Sequence, residues 1–151
     1  MSVGGAAELS ARPAPTGPVI VLRGIALSAP ALLLFATLQA APAATVREIR
    51  MTSRFVPAEI SVRAGDTLRF INQTGGPHNI QFFVDSIPES ARVLLEAAMP
   101  GAKIGPLSSP LLLGEHDRYD IAVPALPPGR YPFVCLPHFA SRMLGTLVVV
   151  P

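Results

Sequence analysis

The alternation of apolar and polar residues over 59–71 constrains the fold most. Ile60 and Val62 alternate with Ser61 and Arg63, Gly65-Asp66 interrupts the run, and Leu68 and Phe70 then alternate with Thr67, Arg69 and Ile71. A period of two places successive side chains on opposite faces of an extended chain. Two short strands joined by a glycine-containing turn are predicted here. Seventeen prolines and twelve glycines among 151 residues argue against a helical bundle and suit an all-β chain with many turns.

The same reading extends along the chain. His78–Phe82 is predicted as a strand entered from the Gly75-Gly76-Pro77 turn. Residues 88–99 are the one good helix candidate: Pro88 suits the first turn, Glu89 favours the positive end, and Pro100-Gly101 stops it. Val93, Leu94, Ala97 and Ala98 are expected to form its apolar face. Residues 101–117 are expected to be a long loop. Strands are predicted at Arg118–Val123, Arg130–Val134 and Gly145–Val150, with a turn at Pro127-Pro128-Gly129. Roughly seven short strands of this kind predict a two-sheet β-sandwich with one short helix inserted.

The N-terminus reads differently. Residues 25–38, IALSAPALLLFATL, follow Arg23 and precede the small-x-small sequence Ala41-Pro42-Ala43. A basic start, an apolar stretch and a small-residue cleavage site predict a secretory signal peptide over 23–43, with an uncleaved signal anchor as the alternative. A stretch of fourteen residues falls short of the ~20 that a helical membrane span needs. Residues 1–22 are rich in Ala, Pro, Gly and Ser and are expected to be a disordered extension, or to lie upstream of a true start near Leu22. The mature domain is expected over 45–151. The protein is accordingly expected outside the cytoplasm, in a periplasmic or equivalent space, with membrane attachment only through an uncleaved segment.

Charge excludes one class of partner. Twelve basic against ten acidic residues leave +2, the basic residues are scattered, and no basic run is interleaved with aromatics. Nucleic acid is not an expected partner. Paired carboxylates, a nucleophile elbow and a phosphate-binding loop do not appear, so no case for an enzyme arises.

The chemistry concentrates in Cys135-Leu136-Pro137-His138-Phe139-Ala140-Ser141-Arg142-Met143, which places a thiol, an imidazole and a thioether between two predicted strands. Cys135 is the only cysteine, so it has no intramolecular disulfide partner, and an odd thiol in an exported chain needs another reason to be there. A second imidazole, His78, lies upstream on a different segment. Taken singly, each has a plainer reading: a small buried hydrophobe, a surface histidine, a packing methionine. Together, two His, one Cys and a weak Met are the donor set of a copper electron-transfer site. Zinc is the chemical rival, but it prefers a strong fourth ligand or water, and Met143 is neither. His116 sits in a charged turn and is expected to be solvated; Met51 and Met99 are expected to pack in the core or against the helix.

These residues resemble the plastocyanin/pseudoazurin/amicyanin group of cupredoxins. The likeness lies in Tyr131-Pro132-Phe133-Val134-Cys135-Leu136-Pro137-His138 with Met143-Leu144-Gly145. It continues in Phe55-x-Pro57-x-x-Ile60-x-Val62-x-x-Gly65-Asp66-Thr67-Leu68-x-Phe70-x-Asn72 and in Pro77-His78-Asn79-Ile80, spanning about residues 46–151. The resemblance implies an eight-stranded Greek-key β-sandwich with one copper ion at one end, held by His78, Cys135, His138 and Met143, the imidazoles through Nδ1. It also implies that Asn79 ties the two ligand segments together near the Cys135 sulfur. The implied function is a one-electron shuttle, with donor and acceptor redox proteins docking at the edge of His138 among Leu136, Pro137, Phe139 and Ala140, and a monomer is expected. Val134 stands where plant-type plastocyanins carry a tyrosine electron port, and no acidic cluster accompanies it. Two alternatives remain open: a copper carrier, or a tethered redox subunit of a larger oxidase or reductase.

Overall fold

A computed structural model describes residues 43–151 together with Gly17. Apart from Gly17 and Ala43, the expected 1–22 extension and 23–43 signal lie outside the described residues.

Alternating side chains build two four-stranded sheets. In the first, β1 (Val46–Met51) turns Ile49 and Met51 inward and Glu48 and Arg50 outward, β4 (Thr67–Asn72) turns Leu68, Phe70 and Asn72 inward, and β6 (Arg118–Ala122) buries Tyr119 and Ile121. With β2 (Phe55–Val56) at the edge, the order is β2-β1-β4-β6. The second sheet has the order β3-β8-β7-β5, from β3 (Glu59–Val62), β8 (Leu144–Val149), β7 (Gly129–Val134) and β5 (Gln81–Phe82). The β1/β4 and β3/β8 pairs are parallel and the others antiparallel. The all-β sandwich with one short helix is the architecture the sequence predicts.

The inner faces meet at Phe133, whose ring packs edge-on against Phe55, Phe70 and Phe82 with centroids 4.8, 5.5 and 5.6 Å apart. Edge-to-face geometry of this kind adds to the gain from burial. Gly145 lies opposite Phe133 in the β7/β8 ladder, and a Cβ there would overlap the Phe133 ring. Met51 and Met99 are core residues, as expected.

The two strands expected on either side of the Gly65-Asp66 turn form, but in different sheets: β3 pairs with β8 and β4 with β1 and β6, so the turn hands the chain from one sheet to the other. Two local expectations are revised. The strand expected at His78–Phe82 shrinks to Gln81–Phe82, because its neighbour is the long 101–117 segment rather than a regular strand. His78 and Leu112 exchange backbone hydrogen bonds of 3.0 and 2.8 Å, Ser109 N–H donates to Ile80 O, and Phe82 N–H donates to Leu107 O. The helix α1 spans Glu89–Ala98, with Pro88 as its N-cap, but it buries Ala91 and Leu95, whereas Val93, Leu94 and Ala97 face outward. Its attachment comes partly from polar contacts: the Glu96 carboxylate accepts from Leu107 N–H at 2.6 Å and pairs with Lys103. No described helix is long and apolar enough to cross a membrane.

Candidate metal centre

The ligand loop is an extension of the β7/β8 hairpin. Pairing continues past Val134 and Leu144 through a bond from Cys135 N–H to Met143 O at 3.0 Å. Between them the chain folds back on itself: Leu136–His138 forms a 3₁₀ turn, and His138 O accepts from both Ser141 N–H and Met143 N–H at 3.2 Å. Pro137 fits inside that first turn, where its missing N–H costs no bond. Arg142 absorbs the reversal with a left-handed φ of 56°. Cys135 and Met143 end up fully buried at the mouth of the hairpin, and His138 partly exposed.

His78 arrives from the other side. Its loop leaves β4 at Asn72, a wholly buried side chain that donates through Nδ2 to Gly76 O at 3.0 Å and Leu112 O at 3.2 Å, and accepts from Thr74 N–H. Asn72 therefore pins both segments that hold the His78 backbone. The next residue, Asn79, accepts a 2.7 Å bond at Oδ1 from Leu136 N–H, joining the His78 segment to the loop directly after Cys135.

The result brings three donors together. The Nδ1 atoms of His78 and His138 lie 3.6 and 3.4 Å from Cys135 Sγ, and one ligand atom from each residue falls within 4.8 Å of the others. The two imidazoles stack with centroids 4.6 Å apart. Bonds of about 2.0–2.3 Å from one ion to nitrogen and sulfur put the donor atoms about 3.4–4 Å apart, so the Sγ–Nδ1 separations suit a shared metal. Burial lowers the His78 pKa, with the His138 ring adding to the effect, which keeps a lone pair free on the imidazole. Burial pushes the Cys135 thiol up, against the backbone N–H groups of Asn79 and His138, which pull it down. A thiol so placed becomes a thiolate when a cation compensates it. His116 stays apart, exposed beside Glu115.

Residues 43–150 match the family of copper binding proteins, plastocyanin/azurin family. The chain belongs to this family. Its relatives include plastocyanin B'/B'' of Nicotiana tabacum, 35% identical over 95 residues, which cover 63% of this chain and 86% of that protein. The chloroplastic plastocyanin major isoform of Arabidopsis thaliana is likewise 35% identical over 63% of this chain, but the match spans only about half (51%) of its length. Among solved structures, oxidized plastocyanin from Dryopteris crassirhizoma superposes with a TM-score of 0.55 at 25% identity, covering 69% of this chain and all (100%) of that one. Reduced auracyanin from Roseiflexus castenholzii, at 24% identity and a TM-score of 0.51 over 72% of this chain and 98% of its own, shares the fold. The chain is thus a cupredoxin, copper is its cofactor, and copper-based electron transfer is the general chemistry of its family.

Two features of the site have no clear signal in the sequence. Asn72 carries the His78 loop, yet only its place in the Phe70-x-Asn72 resemblance marks it. A cleft of about 350 Å³ opens beside both imidazoles, lined by Thr52, Ser53, Thr74 and Ser141 among others. Those hydroxyls come from three separate segments, so no local pattern announces them.

Proposed function

We propose that His78, Cys135, His138 and Met143 hold one copper ion in a type 1 site, and that the protein shuttles single electrons between redox proteins outside the cytoplasm. The observation that carries this reading is the convergence of one ring nitrogen from each imidazole and one buried thiol sulfur within 4.8 Å, from two segments 57 residues apart. Bound there, copper would supply a Cu(II)/Cu(I) couple for one-electron transfer.

The chain's own residues supply the rest. Cys135 would give a soft thiolate, the imidazoles would give donors acceptable to both oxidation states, and the buried Met143 would serve as a weak fourth ligand. Asn79 and Asn72 hold the two segments in register, which limits rearrangement on electron transfer. His138 is the less buried imidazole, and exposed Leu136, Pro137, Phe139 and Ala140 surround it. An apolar rim of that kind suits weak, brief docking, and it makes His138 the electron port of a carrier rather than a catalyst. The 23–43 signal delivers the chain to an extracytoplasmic space as a monomer.

An absorption spectrum of the copper-loaded protein tests the assignment. An intense visible thiolate-to-copper band, reversible on reduction and abolished by Cys135→Ser, is the expected result. A band that survives Cys135→Ser would overturn the ligand set.

A further inference from the structure

The ten Lys and Arg side chains of residues 44–151 are not equivalent. Arg47, Arg69, Arg92, Lys103 and Arg130 each lie within 4.0 Å of a carboxylate, on Asp66, Asp120, Glu89, Glu96 and Glu59. Arg63 donates to the carbonyl of Pro151 at the far end of the sandwich. Among the described residues, no carboxylate comes within ion-pair distance of the other four, Arg50, Arg54, Arg118 and Arg142, and all four flank the ligand end.

Their positions follow from the fold. Arg142 sits in the ligand loop, beside Phe139, Ala140 and Leu144. Arg54 shares the β1–β2 turn with Thr52 and Ser53, which line the cleft at His78 and His138. Arg50 lies one residue before the end of β1, and Arg118 begins β6 next to Asp117, whose carbonyl accepts from Asn72 N–H. Two carboxylates lie near this end: Asp117, which accepts from Leu113 and Gly114 N–H, and the exposed Glu115, 3.6 Å from His116. In the same cleft the hydroxyls of Ser53 and Ser141 make no bond to any described residue.

We propose that the ligand end docks, around the exposed edge of His138, on a redox protein whose contact surface carries carboxylates. Unpaired guanidinium groups steer such a surface inward and can grip carboxylates through paired N–H bonds. The free hydroxyls of the cleft add donors beside the port, and the apolar rim excludes water between them. This inference rests on the electron-transfer function proposed above.

Two measurements test it. In the first, the Cu(I)-loaded protein is titrated with polyglutamate and followed by amide NMR. The expected shifts cluster at Ser53, Thr74, Ser141 and Arg142, and polylysine produces none there. In the second, the same protein is oxidised by hexacyanoferrate(III), which takes one electron, or by the cationic tris(phenanthroline)cobalt(III). At low ionic strength, Arg54→Glu with Arg142→Glu should slow the anionic oxidant about tenfold and speed the cationic one. Arg63→Glu, at the far end, should change either rate by less than about twofold, as expected for a screened distant charge. Equal effects from Arg63→Glu, rates indifferent to the paired reversals, or binding to phosphatidylglycerol vesicles without polyglutamate shifts would each overturn the proposal. A wild-type protein with no visible thiolate–copper band would instead sink the electron-transfer reading, and the polyglutamate shifts on that chain still decide the docking surface.

Discussion

At the end of the sandwich away from the ligand loop, Asp66 is almost completely buried and fully engaged. Its two carboxylate oxygens accept from Thr45 N–H, the Thr45 hydroxyl and Arg63 N–H at 2.8–2.9 Å, and Arg47 lies 3.7 Å away. Backbone bonds from Gly65 N–H to Val123 O and from Val123 N–H to Asp66 O close the turn around it. At the ligand end, Asn79 Nδ2 is buried with no partner among the described residues, the donor atoms of His78, Cys135 and His138 converge on one spot, and four arginines lie beyond ion-pair distance of any described carboxylate. Both ends hang on the same aromatic core. The difference shows what each end is for: one is closed by bonds within the chain, and the other is completed only by something from outside it.

Removing the shared support is the severest way to break the comparison. Phe133→Ala empties the centre of the four-ring cluster and should cost about 3–5 kcal/mol, the range for a large aromatic lost from a core. Denaturant titration of the variant should show both ends lost in one transition. A variant that loses its metal site while the Asp66 end unfolds unchanged would show the two ends to be independent. Copper comes next. With free metal held at a hundred times its Kd, occupancy stabilises the native state by about 2.7 kcal/mol. The shift in the denaturation midpoint on copper addition should vanish in Cys135→Ser and persist in Asp66→Asn.

Third is the closed end itself. The bonds from Arg63 and Thr45 hold the Asp66 carboxyl down at about 2. Because its folded-state pKa lies below the unfolded value of about 3.9, the stabilisation is present above pH ~4 and is lost as pH falls towards 2. It amounts to about 2 kcal/mol. Asp66→Asn turns an amide donor towards the Arg63 N–H and should lower stability by that amount at pH 7. The gap between variant and wild type should close near pH 2, as read by chemical denaturation across the range. A gap that stays constant with pH would remove the charge from the account.

The ends also differ in how far the sequence makes them legible. The ligand loop is local: Cys135, His138 and Met143 fall within nine residues, and a hairpin extension is enough to bring them together. Period-two alternation likewise shows β3 and β4 without any knowledge of partners. What stays hidden is pairing between distant segments. Nothing near Gly65 says that β3 and β4 join different sheets, because that depends on β8 and β1. The 101–117 segment reads as a loop because its hydrogen bonds go to residues 78–82, with which it shares no periodic pattern. The helix shows the same limit: its Val93 and Leu94 are apolar but face outward, since Glu96 and Lys103, rather than a hydrophobic stripe, fix part of its docking. The split between paired and unpaired arginines is invisible for this reason too, as Arg69 and Asp120 are neighbours only across the β4/β6 ladder.

The smallest effect sharpens the comparison most finely. Gly65, in the closed turn, and Gly76, in the loop that carries His78, have left-handed φ values of 89° and 84°, and at neither would a new Cβ meet an atom within 4 Å. Alanine at either position therefore meets backbone strain alone, about 1 kcal/mol. The two substitutions should lower the unfolding free energy by the same amount. Their consequences for the metal should differ. Gly76 O accepts the Asn72 side chain, and Gly76 N–H donates to Leu113 O, so strain there loosens the frame of His78. Gly76→Ala should speed copper release to a chelator several-fold, whereas Gly65→Ala, with equal lost stability, should leave the release rate as it is. Equal release rates would mean that copper leaves through opening of the whole sandwich, and the division between a self-closed end and a metal-completed end would then hold for structure but not for dynamics.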